Sequence, residues 1–227
     1  MNLLYLSDVF CPWCYGFVPV MRRILADHPE LSVRVLGGDL VEVPRMLSEM
    51  KGSREFFTRL ATTAGQPVDA FLKALDGAGS GGPDWRMHSP EAGAALVALK
   101  VLAPGHEAEQ MEAFQHGLYG EGRDVLAPAV QHALASRWGV DAAAFDAALA
   151  DRNVRERAER ETAEALAIMG EFRLYPTLYL EGNGARELLA RGYVPYETVR
   201  AKLDAALAGE RGTVAEGAAC GLDGGCS

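Results

Sequence analysis

At 227 residues, 49% apolar and 23% charged, the chain has ordinary globular proportions and room for one large domain or a domain carrying an insert. A net charge of -9 and a pI near 5.1 exclude nucleic acid as a default partner, because phosphate binding needs a basic face. No stretch approaches the roughly 18 consecutive apolar residues of a membrane span, so a membrane is not an expected partner either.

The chain opens on an apolar run, Leu3-Leu4-Tyr5-Leu6, that reads as a buried strand. Met1-Asn2 supplies no basic leader, and cleavage before the next motif would destroy this strand, so the expected location is the cytoplasm. Next come Cys11-Pro12-Trp13-Cys14 and a stretch of helical spacing from Tyr15 to about Ala26. Strand, C-x-x-C, helix is the context of a redox pair. Residues i and i+3 share a helix face, so two thiols there can meet. Cys11 falls at the helix N-terminus, where unpaired N–H groups and the dipole favour a thiolate, and Pro12 suits the first helical position. Cys14 falls one turn further in and is expected to be buried. Cys11 is therefore the predicted nucleophile and Cys14 the resolving thiol. A shift from about 8.5 to roughly 5 would stabilise a thiolate by about 4–5 kcal/mol. Pro12-Trp13 brings no cation, so the helix terminus acts nearly alone and a moderately lowered pKa is expected. The competing structural readings, a disulfide staple or half a zinc site, fit the flanking strand and helix less well.

Pro19 lies inside the first helix, which should stop before Pro29. Ser32 to Leu36 reads as a second strand ending at Gly37-Gly38, which makes a right-handed βαβ unit with parallel strands. An all-helical region follows from about Pro44 to Gly170, with helices expected at 53–64, 89–103, 107–119, 127–138, 141–150 and 152–169. The Gly-rich stretch 76–82 lacks the Gly-Lys-Ser/Thr ending of a phosphate loop and reads as a loop. His88, just beyond it, is a lone histidine of the kind that usually packs or sits on the surface.

The strand pattern resumes at 175–180, where a proline at the start requires a reason because it has no N–H for a ladder. Residues 188–190 read as its hairpin partner, and 195–208 as a terminal amphipathic helix. The tail beyond is rich in small residues, is expected to be mobile, and carries Cys220 and Cys226. Three readings of that pair stand open: a relay exchanging disulfides with Cys11/Cys14, a disulfide or free thiols with no relay, or metal binding completed by outside ligands.

Cys11-Pro12-Trp13-Cys14-Tyr15-Gly16-Phe17, Tyr175-Pro176-Thr177 and the long helical insertion between them together resemble the DsbA family, within it the FrnE-like cytosolic branch, over residues 1–208. The resemblance implies an α/β thioredoxin fold with a mixed central sheet. Its domains would be 1–44 with 171–208 as the thioredoxin-like part, 45–170 as the helical insertion and 209–227 as a flexible tail. It implies a protein thiol–disulfide oxidoreductase of the reductase or isomerase type. Pro12, Trp13, Tyr175, Pro176 and Thr177 would border the substrate, with Pro176 cis beside the redox pair and the Tyr175 backbone free to pair with an extended chain. It also implies Cys220/Cys226 as a secondary redox pair, no metal, and no cofactor beyond glutathione as reductant or co-substrate. The partners would be protein or peptide thiols and disulfides. The same family extends to kappa-class glutathione transferases and hydroxychromene-carboxylate isomerases, which act on small molecules and usually carry Ser at the first motif position. A glutathione-dependent transferase or isomerase is therefore the alternative function, and a non-catalytic peptide-binding module the third.

Overall fold

The computed structural model describes residues 1–182, 184–209 and 217–221. The first strand, β1 (Asn2–Ser7), is buried along nearly its whole length, as a central strand's apolar run should be. It leads through a short turn into α1 (Pro12–Asp27), which passes through Pro19 and ends at His28. β2 (Ser32–Gly37) returns parallel to β1, pairing Leu3 with Val33 and Ser7 with Gly37.

After β2 come β3 (Arg45–Met46), a 3-10 turn over Leu47–Ser53, α2 (Arg54–Ala64), α3 (Asp69–Gly77) and β4 (Arg86–Met87). α4 (Ser89–Leu102), α5 (Glu107–Gln115), α6 (Pro128–Ala135), α7 (Ala142–Ala150) and α8 (Arg152–Met169) complete the insertion. The chain returns as β5 (Leu174–Tyr175), β6 (Thr177–Gly182), β7 (Ala185–Arg191) and α9 (Tyr196–Leu207), and the last element among the described residues is β8 (Cys220–Gly221). The main sheet has the order β2-β1-β6-β7, with β1 and β2 parallel and β6 antiparallel to both β1 and β7. This is the mixed sheet of a thioredoxin fold.

Several boundaries differ from the sequence reading. The helix expected at 107–119 ends at Gln115 and continues as one π turn over His116–Gly120, and that expected at 127–138 ends in a 3-10 turn over Ser136–Trp138. α3 was not foreseen, although Phe71, Leu72 and Leu75 give it a buried face; it takes Gly77 out of the Gly-rich loop. The insertion also carries a two-residue antiparallel ladder, Arg45–Met87 and Met46–Arg86, too short to leave a pattern. The strand read as continuous over 175–180 is broken at Pro176 into β5 and β6.

The insertion is fastened to the sheet by polar side chains as well as by apolar packing. α4 is apolar nearly all round, as a helix enclosed by others must be, with Ala95, Leu96, Ala98 and Leu99 essentially without exposure. Its one buried charge, Lys100, donates to Glu161 on α8 at 2.6 Å and to the Val35 carbonyl on β2. Glu107 of α5 accepts from the Val35 N–H at 2.7 Å. Gln110 donates to the Ala103 carbonyl at 2.7 Å, so the turn between α4 and α5 has its backbone acceptor satisfied.

Candidate active site

The turn between β1 and α1 is shaped by Asp8. Its Oδ1 accepts from the Phe10 N–H at 2.7 Å, and its Oδ2 accepts from the Leu40 N–H at 3.1 Å. The first bond is an Asx turn, a local signal that D-x-F offers in the sequence and that sequence reasoning passed over. From the insertion, Gln115 Nε2 donates to Ser7 Oγ and to the Asp8 carbonyl, both at 3.0 Å. Tyr119 Oη donates to the Phe10 carbonyl at 2.6 Å. The backbone entering the Cys11–Cys14 motif is thus gripped by two side chains about a hundred residues away.

Cys11 is the N-cap of α1, in extended conformation, and Pro12 is the first helical residue. Cys11 Sγ accepts from the Cys14 N–H at 3.4 Å, so the thiol stands where a Ser or Asp cap would stand. The same Sγ lies 3.6 Å from the Tyr175 carbonyl, to which the S–H donates. Tyr175–Pro176 is a cis peptide, Thr177 Oγ1 donates to the Leu174 carbonyl at 2.7 Å, and Tyr175 Oη donates to Asp39 at 3.1 Å. Chain segments from the two ends of the sequence therefore meet at one sulfur.

The electrostatics differ from expectation. Cys11 and Cys14 are both free thiols with no exposed surface. Burial pushes the Cys11 thiol up, and the neighbouring Cys14 adds to the rise; only the Cys14 N–H bond pulls it down. The expected lowering by the helix terminus is outweighed because the site removes water and the charges that act on Cys11 among the described residues are those of acids. The surrounding titratable groups are Tyr5, Asp8, Tyr119 and Tyr175, all acids held neutral or pushed up by burial.

Of the other predicted contacts, Trp13 is 5% exposed and packs edge-on to Phe56, with the Tyr193 ring 5.5 Å away. Thr177 is fully buried, so its hydroxyl serves the turn around Pro176. Pro12 borders a cavity of about 410 Å³ lined also by Phe10, Arg45, Met50, Phe56 and Met87, most of them from the insertion. His88 caps α4 and lies 3.1 Å from Glu91. Of the tail pair, Cys220 is held in a disulfide, while Cys226 lies outside the described residues. Residues 217–221 of the tail, expected to be mobile, are seated: Tyr175 pairs with Cys220 and Leu174 with Gly221 in an antiparallel ladder. No cluster of three metal-binding side chains occurs among the described residues, and no helix among them is long and apolar enough to cross a membrane.

Asp8 makes a pH-dependent contribution. Burial pushes its carboxyl up to about 6, against the bonds from Phe10, Leu40 and Ser89 that pull it down. A carboxyl whose folded value exceeds its unfolded value binds its proton more tightly in the native state. The stability it confers is present below about pH 4 and is lost as pH rises through about 6, a change of about 3 kcal/mol. Asp8→Asn does not titrate there. Urea melts of both proteins from pH 4 to pH 7 should show the unfolding free energy of the wild type falling relative to the variant by about that amount. A difference that is flat with pH would contradict it.

A family model described as a DSBA-like thioredoxin domain matches residues 3–170. No curated protein sequence matches the chain. Among solved structures, a putative protein disulfide isomerase from Nitrosomonas europaea is similar at 25% identity and a TM-score of 0.78, covering 92% of this chain and 98% of its own. The cytosolic disulfide reductase DsbM from Pseudomonas aeruginosa is similar at 25% identity and 0.71, over 92% of this chain and 99% of its own, and a second structure of it contains GSH. A 2-hydroxychromene-2-carboxylate isomerase shares the fold at 17% identity and 0.59, over 92% of this chain and 98% of its own.

Proposed function

The chain belongs to the family of DSBA-like thioredoxin domains, and from that membership we propose that it is a cytoplasmic thiol–disulfide oxidoreductase reducing or isomerising protein and peptide disulfides. The observation that supports this most is the meeting of Cys11 Sγ with the Cys14 N–H at 3.4 Å and the Tyr175 carbonyl at 3.6 Å. The attacking sulfur lies at a helix N-terminus, directly beside a two-residue strand that accepts an antiparallel partner.

The reaction proceeds in two exchanges. Once the Cys11 proton is lost, its thiolate attacks one sulfur of the substrate disulfide, forms a mixed disulfide and expels the other sulfur as a thiolate. The Cys14 thiolate then attacks Cys11 Sγ, releasing the second substrate thiolate and leaving a Cys11–Cys14 disulfide. The substrate gains two electrons and the pair loses two; two molecules of an external thiol such as glutathione restore the dithiol and leave as their own disulfide. Pro12, Trp13, Tyr175, Pro176 and Thr177 frame the site. Tyr175 offers its backbone, Pro12 the edge of the cavity beside the motif, and Trp13 and Thr177 act by holding the frame. The GSH present in one structure of the similar DsbM favours glutathione as that thiol.

The insulin-reduction assay with dithiothreitol, run beside a glutathione-conjugation assay on a small electrophile, separates this from the small-molecule alternative. Turnover of insulin with no conjugation is expected. Conjugation without insulin reduction would move the protein to the glutathione-dependent transferases and isomerases.

A further inference from the structure

The strand that would receive a substrate is already filled. β5 has two residues, and both are paired with β8 from the tail of the same chain. The approach is continuous. The Gly217 N–H donates to the Arg191 carbonyl at 2.8 Å, and the Tyr193 N–H donates to the Ala218 carbonyl at 2.6 Å. Ala219 and Cys220 are then buried, the latter completely, opposite Tyr175. Tyr175 is the residue whose carbonyl faces Cys11 Sγ, and Cys11 and Cys14 have no exposed surface. A nucleophile that must attack a disulfide on another molecule is thus sealed in, with a five-residue segment, Gly217-Ala218-Ala219-Cys220-Gly221, lying where an extended substrate would lie.

We propose that residues 217–221 are an intramolecular occupant of the peptide-receiving edge, covering Cys11 in the resting chain and yielding to an extended cysteine-bearing peptide of small residues. This rests on the reading of the site as one for peptide disulfides. The occupant defines the class of ligand: whatever replaces it must be extended and small on either side of the position opposite Tyr175, and a substrate must in addition place its sulfur there. Gly217 shows how narrow the passage is: a Cβ there would collide with the Tyr193 carbonyl and carbon, and the segment would have to leave. Among the described residues, the segment's backbone is held by the ladder to β5 and by the bonds at Arg191 and Tyr193, each of small net worth against water, so exchange with a competing strand is open to it.

The test compares the full chain, a chain ending at Ala208, and Gly217→Val, measuring iodoacetamide alkylation of Cys11 by mass spectrometry. Both altered proteins should alkylate at least about tenfold faster than the full chain. Millimolar Gly-Ala-Ala-Ser-Gly peptide, which has no sulfur, should slow the truncated chain again. Gly217→Val keeps the whole chain and carries the test if truncation impairs folding, which circular dichroism reports. Equal alkylation rates in all three proteins would overturn the proposal. Faster alkylation with no insulin reduction by any form would uphold the cover and remove the disulfide-exchange reading. Insulin reduction with unchanged alkylation would do the reverse.

Discussion

Cys11→Ser is expected to lower disulfide-exchange turnover by roughly three orders of magnitude or more, because a neutral hydroxyl replaces the sulfur that forms and breaks every bond in the cycle. The loss should fall on kcat, with the fold intact: Ser is an able N-cap and can accept from the Cys14 N–H that Cys11 now engages. Cys14→Ser should fail differently. Cys11 can still open a substrate disulfide, but nothing resolves the product, so the mixed disulfide should accumulate and appear as added mass on non-reducing analysis. A steady rate in Cys11→Ser near that of the wild type would refute the assignment outright. A Cys14 variant that turns over fully without a trapped adduct would show that an outside thiol resolves the intermediate.

Gly38→Val should cost the second-largest amount, without touching either thiol. A Cβ at Gly38 would stand 2.6 Å from Tyr175 Cζ, 2.8 Å from Cε1 and 2.9 Å from Oη. The ring has no exposed surface, and its hydroxyl is committed to Asp39 at 3.1 Å. Rigid and enclosed, it must move as a unit with β5, and the carbonyl beside Cys11 moves with it. Overpacking of this kind costs about 1–3 kcal/mol in stability. We expect the loss in kcat/KM for insulin to be greater, about 100-fold, because displacement of a positioning group by about 1 Å costs that much. Reduction of a small aromatic disulfide, which needs no strand pairing, should suffer less. Equal losses on both substrates would indicate general misfolding and refute the positioning role of Tyr175.

Much of the fold lay open in the sequence because its signals are local. Leu3 to Leu6 is an unbroken apolar run, Pro12 stands at the first helical position, and Ser89-Pro90-Glu91 opens α4, all features decided within one turn or strand. The placement of Cys11 and Cys14 on the first turn of α1 was legible for the same reason. What escaped depends on distance in the chain. Nothing near Gln115 or Tyr119 announces that they hold the carbonyls of Asp8 and Phe10, because the partners lie more than a hundred positions away. The Cys11 thiol was expected to be shifted down from a helix-terminus argument that is sound locally. Burial overrides it, and burial is a property of the whole packed site. The seating of the tail on β5 was invisible because Gly217 to Gly221 has no strand-like composition; it pairs because an edge is there to receive it.

The order of the strands has a consequence for synthesis. Cys11 and Cys14 are made before the carbonyl that Cys11 faces, which belongs to Tyr175, 164 residues later. At about 5–20 residues per second, roughly ten to thirty seconds separate the appearance of the two. Throughout that interval β1 lacks its neighbour β6, and the helices of the insertion are made first. Two thiols are carried on the nascent chain before the walls that enclose them exist. Small oxidants and thiols therefore have freer access to the pair during synthesis than after folding.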